Sequence, residues 1–426
     1  MQQNSMPVER VVGLDAHPDS FTAALVEGPN PRAAIVRKTF DKVPMAQLIR
    51  WANKHTTPAD RIVLEASGNS FHVARTLQAA GRNVQVLESA QLGKLKEAHA
   101  NNDKISAVRI AKAFLAGTTK SVWIPDDKTQ QRRDWFHAHR KAVRQVTRLN
   151  NSLLSYLSDN GVRTGKDRKL LEKDLAEATA WIRSAKAWSP TQWQVIEIQL
   201  NDLHHALNTK RRWESLLAQE VAQDPVLLSL VRLIGVREVV AFALGAVIGD
   251  IHRFAEPRKL IAYVGFNPAF DDSGNQNWSG GIGGHGHRVL RSLLVESAHS
   301  LLRSPHPIGH WGRKLLARKG ELKLVVAAVA RKLLTSVWYL LMGRFEPLEE
   351  IPKALDLKLG VIISHIGKDG LAQLNLTRQA LRQQMHQRLL SGRTYVSDPR
   401  PGSPTGSPTQ ASTAELQAEL DRVIPA

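Results

Sequence analysis

Four residues of this chain carry side chains suited to phosphodiester chemistry. Asp15 closes the apolar run Val11-Val12-Gly13-Leu14, Glu65 closes Ile62-Val63-Leu64, and Asp103 opens Asp103-Lys-Ile-Ser-Ala-Val-Arg-Ile. A carboxylate at the end of an apolar run is costly to desolvate unless its charge is used. Three carboxylates arriving from two strand ends and a helix start can hold one or two divalent ions, Mg2+ or Mn2+. Two such ions, about 4 Å apart, stabilise both the attacking and the leaving oxygen of phosphoryl transfer. The fourth residue, Ser273, lies in Pro268-Ala-Phe-Asp-Asp-Ser-Gly, ahead of Gly280-Gly-Ile-Gly-Gly-His-Gly-His-Arg288. A serine hydroxyl can hold a strand covalently. Plainer readings stand beside these: each acid as a cap or turn residue, Asp-Asp-Ser-Gly as an ordinary turn, the glycine run as a flexible hairpin rather than a phosphate cradle. Taken together, the four residues suggest an enzyme that cuts and rejoins DNA.

Elements must position those residues, and the chain divides accordingly. Residues 1–122 read as an α/β domain: strands Val11–Asp15, Phe21–Val26 and Ala33–Phe40, a helix at Met45–Asn53, strand Arg61–Glu65, helix Phe71–Ala80, strand Val84–Leu87, and helices through Gln91–Ala116. A three-strand meander followed by alternating helix and strand is the order of an RNase H-like fold. Residues 123–224 change character, with apolar residues at helical spacing (Val143, Val146, Leu149, Leu153, Leu157; then Ile196, Leu200, Leu203, Leu207). Asn160-Gly161 and the helix start Ser189-Pro190 suggest two long helices forming an antiparallel coiled-coil arm. Residues 225–345 read as a mostly α-helical domain around the glycine-rich loop, and 346–395 as a helical extension. Residues 396–426 read as a disordered linker with a short terminal helix at Ala414–Val423.

Composition narrows the partners. The 426 residues carry a formal charge of +19 and no cysteine. Such an excess of cations favours a polyanion, since lysine and arginine displace counterions from phosphates. Missing cysteine excludes disulfides and thiolate zinc sites. Arg132, Arg133, Arg140, Lys141, Arg144 and Arg148 crowd the first arm helix, and Arg288 and Arg291 follow the glycine loop. All eight are candidate nucleic-acid contacts, with a solvated helix face as the alternative for the arm group. Leu233-Ile-Gly-Val-Arg is either a phosphate-holding helix-hairpin-helix turn or a plain connection. His285, His287, His299, His306 and His310 lack regular ligand spacing, so a zinc site is not expected. Trp123, Trp135, Trp181, Trp188 and Trp193 read as packing residues. No signal-peptide core opens the chain, and the runs at Val239–Ile248 and Val325–Met342 are too short or carry Arg331-Lys332 to span a bilayer. A cytoplasmic, nucleoid-associated protein without a membrane partner is expected.

An ordered set of motifs resembles the RuvC-like (DEDD) transposases of bacterial insertion sequences, relatives of the Piv-type DNA invertases. The set is Val12-Gly-Leu-Asp15-Ala-His, Leu64-Glu65-Ala-Ser-Gly, Asn102-Asp103-Lys-Ile-Ser-Ala-Val-Arg-Ile-Ala and Val122-Trp-Ile-Pro125. It continues with Leu233-Ile-Gly-Val, Gly249-Asp-Ile-His-Arg-Phe254, Leu260-Ile-Ala-Tyr-Val-Gly-Phe-Asn-Pro268, Ser273-Gly and Gly286-His-Arg-Val-Leu-Arg-Ser-Leu-Leu294. The resemblance spans roughly residues 10–342. It implies a recombinase in which Asp15, Glu65 and Asp103 hold metal while Ser273 attacks the phosphodiester. It further implies a homo-oligomer, dimer or tetramer, with metal and serine supplied by different subunits, acting on donor and target DNA under the guidance of a structured bridge RNA. This chain departs from the pattern at Ser106, where the family motif Asp-x-x-Asp places a fourth acid, and at Asn275-Gln-Asn-Trp-Ser, where a basic run is usual. Two other functions fit the same residues. One is a RuvC-like nuclease or junction resolvase that uses metal-activated water without a covalent step; the other is a non-catalytic nucleic-acid-binding protein.

Overall fold

A computed structural model describes residues 9–89, 92, 103–165, 169–273, 276–282, 285–344 and 352–391, with backbone alone across 268–282. The expected linker and tail helix at 396–426, and the part of the expected 91–116 helices before Asp103, lie outside the described residues. The chain forms two compact units, 1–128 and 129–426.

The first unit holds a six-stranded mixed sheet. Its strands are β1 (Glu9–Ala16), β2 (Ser20–Gly28), β3 (Ile35–Pro44), β4 (Arg61–Glu65), β5 (Asn83–Leu87) and β6 (Ser121–Val122), in the order β3-β2-β1-β4-β5-β6. Hairpins make the β1–β2 and β2–β3 pairs antiparallel, whereas helical crossovers make β1–β4 and β4–β5 parallel. This order is compatible with an RNase H-like fold. Helices α1 (Leu48–His55) and α2 (Ser70–Ala79) bury Val12, Leu14, Ile62 and Leu64 on one face of the sheet. Helix α3 (Asp103–Leu115) buries Val11, Val63 and Leu87 on the other. Covered on both faces, the central strands read as unbroken apolar runs rather than alternating ones.

One residue sets how closely α3 lies on β1. A Cβ built at Gly13 would stand 1.9 Å from the Ala107 carbonyl oxygen and 2.9 Å from the Ala111 nitrogen. Only a hydrogen at this position lets the helix backbone reach the strand.

In the second unit, α4 (Asp127–Asp159) and α7 (Pro190–Gln223) are 33 and 34 residues long. Ser189 and Gln192 close a reciprocal capping box at the start of α7, with Pro190 at the first helical position. The turn at Asn160-Gly161 ends α4, but it leads into two short helices, α5 (Leu170–Lys173) and α6 (Leu175–Ala185), rather than directly back along a partner. Leu171, Ala178 and Ile182 from these helices complete a core with Leu153, Leu157, Ile196 and Leu200. Trp181, Trp188 and Trp193 pack around that core, as expected of packing residues.

The remaining helices are α8 (Pro225–Val231), α9 (Glu238–Ile248), α10 (Pro257–Val264), α11 (Arg288–Arg303), α12 (Pro307–Lys319), α13 (Leu322–Leu341), α14 (Pro352–Gln373) and α15 (Arg378–Ser391). A hairpin, β7 (Pro268–Ser273) with β8 (Gln276–Ile282), interrupts them. Helix α13 is long and apolar enough to cross a membrane, yet 72% of its apolar window is buried inside this unit, as befits a core helix. Leu359, Ile362 and Met385 of α14 and α15 join the same core. The Lys358 ammonium donates to the Val231 and Leu233 carbonyls, 2.7 Å each, and satisfies carbonyls at the buried C-terminal end of α8. That contact, together with Gly235 at φ +83° against the Ser297 carbonyl, makes Leu233–Arg237 a packed helix connection.

Gly13→Ala is expected to destabilise the chain by about 3 kcal/mol, the scale of a core overpacked against backbone. Gly68→Ala, which would meet nothing within 4 Å, should be neutral. Urea unfolding of both variants checks this.

Candidate metal centre and serine hairpin

Strand register brings the first acids together. Leu14 pairs with Leu64 across β1 and β4, so Asp15 and Glu65 each extend neighbouring strands by one residue. By alternation they lie on the side of Gly13 and Val63, the face that α3 covers. Helix α3, seated on Gly13, starts at Asp103 over the same strand end. Asp15 and Asp103 offer ligand atoms within 4.8 Å of each other, and His17 joins them. Glu65 is not in that group, although its strand position adjoins Asp15. Among the described residues this is the one cluster of three metal-binding side chains.

The sequence alone does not single out His17. Its signal is the Asp15-Ala-His17 spacing, which carries a second donor just past the strand end. The position is fixed by backbone: the His17 amide donates to the Ser20 carbonyl at 2.8 Å, and Asn69 donates its side-chain amide to the His17 carbonyl at 2.8 Å. The His17 Nε2 stands 3.6 Å from an Asp103 carboxylate oxygen, with both side chains partly exposed.

Burial raises the Asp15 carboxyl above its ordinary range; the neighbouring Asp103 raises it further, while His17, Arg109 and a hydrogen bond from Ser106 pull it down. Ser106 is buried, three residues after Asp103 on the same helical face, and its hydroxyl is also 3.5 Å from the Arg109 guanidinium. Two carboxylates held together with an imidazole beside them suit a divalent cation, which would replace the proton that burial now favours on Asp15.

Ser273 ends β7 and pairs with Gln276 across the hairpin; its two-residue tip lies outside the described residues. The hairpin base is locked. Gly265 and Gly286, at φ +91° and +90°, press so close that a Cβ on Gly265 would lie 2.1 Å from the His285 carbonyl oxygen. The Arg291 guanidinium donates to the Gly265 and His285 carbonyls at 2.9 and 2.8 Å, and the His287 amide donates to the Val264 carbonyl. Arg291 therefore fastens the two ends of the hairpin, whereas Arg288 is exposed. His287 and His306 cap α11 and α12 through their Nδ1 atoms.

The basic face of α4 is divided. Arg132 is engaged with Glu220 and Asp224, which tie the start of α4 to the end of α7. Arg133 donates to the Ala246 carbonyl at 3.0 Å. Arg140 is half-buried, and its pKa is lowered by burial and by Arg144. Lys141, Arg144 and Arg148 are exposed.

Because the folded Asp15 holds its proton more tightly than the unfolded residue, its ionisation lowers stability as pH rises from about 4 through the folded value. Asp15→Asn should therefore raise the Tm of the metal-free protein at neutral pH, with the gain shrinking towards pH 4. Divalent metal should raise the wild-type Tm and leave the variant unmoved. Calorimetry with and without chelator checks both signs.

Comparison with known proteins gives the site its context. Residues 12–160 match a DEDD transposase model of IS110 elements, and residues 229–310 match the transposase model of the IS116/IS110/IS902 family. The first matched segment contains Asp15, Glu65 and Asp103; the second contains Ser273 and the clamp around Gly265 and Arg291. The chain is 24% identical over 348 residues to the transposase for insertion sequence element IS1111A of Coxiella burnetii, covering 80% of this chain and 92% of the relative. It is 22% identical over 338 residues to the transposase for insertion sequence element IS1328 of Yersinia enterocolitica, covering 78% and 97%. Two family models in order along the chain, around its acids and its hairpin, together with relatives named transposases, support a DNA transposase similar to those of the IS110/IS116 family.

Proposed function

We propose that this transposase cuts and rejoins insertion-sequence DNA with a serine nucleophile assisted by divalent metal in a RuvC-like site. The convergence of Asp15 and Asp103 at the end of β1, inside a sheet ordered β3-β2-β1-β4-β5-β6, carries the reading. Asp15, Asp103 and Glu65 would hold Mg2+ or Mn2+, whose charge stabilises the oxygens of phosphoryl transfer. Ser273 sits at the end of a strand whose base is clamped, which suits a nucleophile that must meet a phosphate reproducibly. Its Oγ would bond to phosphorus as the strand's bridging oxygen leaves, with the hydroxyl proton passing to a base. Acids and serine belong to separate compact units, and a homo-oligomer would supply them to one reaction from different subunits. Lys141, Arg144 and Arg148 on α4, with Arg288 beside the hairpin, are the exposed members of the basic set and would contact nucleic acid. Residues 123–224 would form the arm that presents them. A structured bridge RNA pairing with donor and target DNA would supply sequence choice, and work on bacterial DNA would place the protein in the cytoplasm at the nucleoid.

Ser273→Ala is expected to bind DNA and assemble but to form no protein–DNA covalent species and exchange no strands, on denaturing gels of suicide substrates. Normal recombination by that variant would leave water-driven cleavage by the acids as the mechanism. Changing Lys141, Arg144 and Arg148 together to Gln should flatten the log–log salt dependence of nucleic-acid binding by roughly 0.7–0.9 per lost phosphate contact. An unchanged slope would return these residues to a solvated face.

A further inference from the structure

We propose that His17 is a metal ligand in this chain, so that its metal centre is an oxygen-and-nitrogen site that prefers Mn2+ to Mg2+. The inference rests on the metal reading above and deepens it.

At 3.6 Å the His17 Nε2 and the Asp103 oxygen are too far apart for a good hydrogen bond. Two donors bound to one ion at about 2.1–2.3 Å stand roughly 3.0–3.7 Å apart at octahedral to tetrahedral angles. The observed spacing falls in that range, and an Asp15 ligand atom lies within 4.8 Å of both. The His17 main chain is fixed on both sides, by its amide to Ser20 and its carbonyl from Asn69. A ring on so short a tether to β1 cannot move far from the end of that strand.

Ser106 supplies the reason a nitrogen ligand is needed. Position 106 lies one helical turn from Asp103 and faces Asp15, where a carboxylate would add a third negative oxygen. Here the side chain is a buried hydroxyl that hydrogen-bonds Asp15, close to Arg109. A hydroxyl engaged in this way steadies the carboxylate as an outer-sphere donor and contributes no charge. His17, whose side chain is partly exposed to solvent, restores a donor to the set. Imidazole is a poor partner for Mg2+, which keeps oxygen and water ligands, and a good one for the transition metals.

The test uses the full-length protein and metal alone. Mn2+ is added to chelator-stripped protein, its affinity is read by calorimetry, and its ligands are read by electron spin-echo modulation. In the wild type, Mn2+ should bind at least roughly tenfold more tightly than Mg2+, and the echo should carry imidazole nitrogen modulation. His17→Ala should lose that modulation and weaken Mn2+ by roughly tenfold or more, while His17→Asp should bind Mn2+ without nitrogen modulation and narrow its advantage over Mg2+. Bound Mn2+ without nitrogen modulation, or modulation that survives in His17→Ala, would overturn the assignment of His17 and leave the carboxylate site intact. Mn2+ binding unaffected by Asp15→Asn, or no binding at all, would instead sink the metal reading on which the assignment rests.

Discussion

The close approach of α3 to β1 at Gly13 governs the acidic site. A strand and a helix packed through ordinary side chains are held apart by the Cβ atoms between them. Here a missing Cβ brings the Ala107 carbonyl to the strand itself, and a methyl group would occupy its place. The first turn of α3 is thereby lowered onto the end of β1. Asp103 reaches Asp15, and Ser106 reaches the same carboxylate from one turn further on. The electrostatic cost of facing two carboxylates is met by packing: the apolar cluster of Val11, Val63, Ile110 and Ala111 holds the helix in place whatever the charge state at its tip. The raised carboxyl of Asp15 records that cost and marks where a cation would be welcome.

A second constraint acts in the helical unit. Gly265 and Gly286 adopt left-handed conformations back to back, and Arg291 closes the contact with two carbonyl bonds. Both strands of the β7–β8 hairpin leave from this clamp. A cluster of glycine and arginine can thus resemble a phosphate cradle when its own backbone is what the arginine holds. Arg132 follows the same logic at the junction of α4 and α7, where its charge is met by two carboxylates. Cations sort into those that hold the frame, Arg132, Arg133 and Arg291, and those left facing solvent, Lys141, Arg144, Arg148 and Arg288.

Much of the sheet is legible because its central strands are buried on both faces and bounded by turn residues. Arg61–Glu65 matches its expected bounds, and β1, β2 and β5 differ by a residue or two at their ends. The two-residue β6 offers no period to detect. The β7–β8 hairpin is missed because Asp-Asp-Ser and Asn-Gln-Asn show no alternation of apolar residues. Leu171, Ala178 and Ile182 turn an expected plain hairpin of long helices into a four-helix core at the far end. Few acids flank Arg132 along the sequence, which suggests a nucleic-acid contact, but its carboxylate partners lie 88 and 92 residues away. For the site, strand-end acids are visible as charges interrupting apolar runs, whereas His17 gains meaning only when α3 brings Asp103 beside it.

The central claim is that Asp15 and Asp103 hold one metal ion at the mouth of the sheet. Anomalous diffraction at the manganese edge from crystals soaked in Mn2+ tests it without reference to activity. A peak bonded to oxygens of both residues, at about 2.1–2.4 Å, is the result this account predicts. Ordered density with Asp15 and Asp103 turned apart, or a manganese peak elsewhere and none between them, would contradict it.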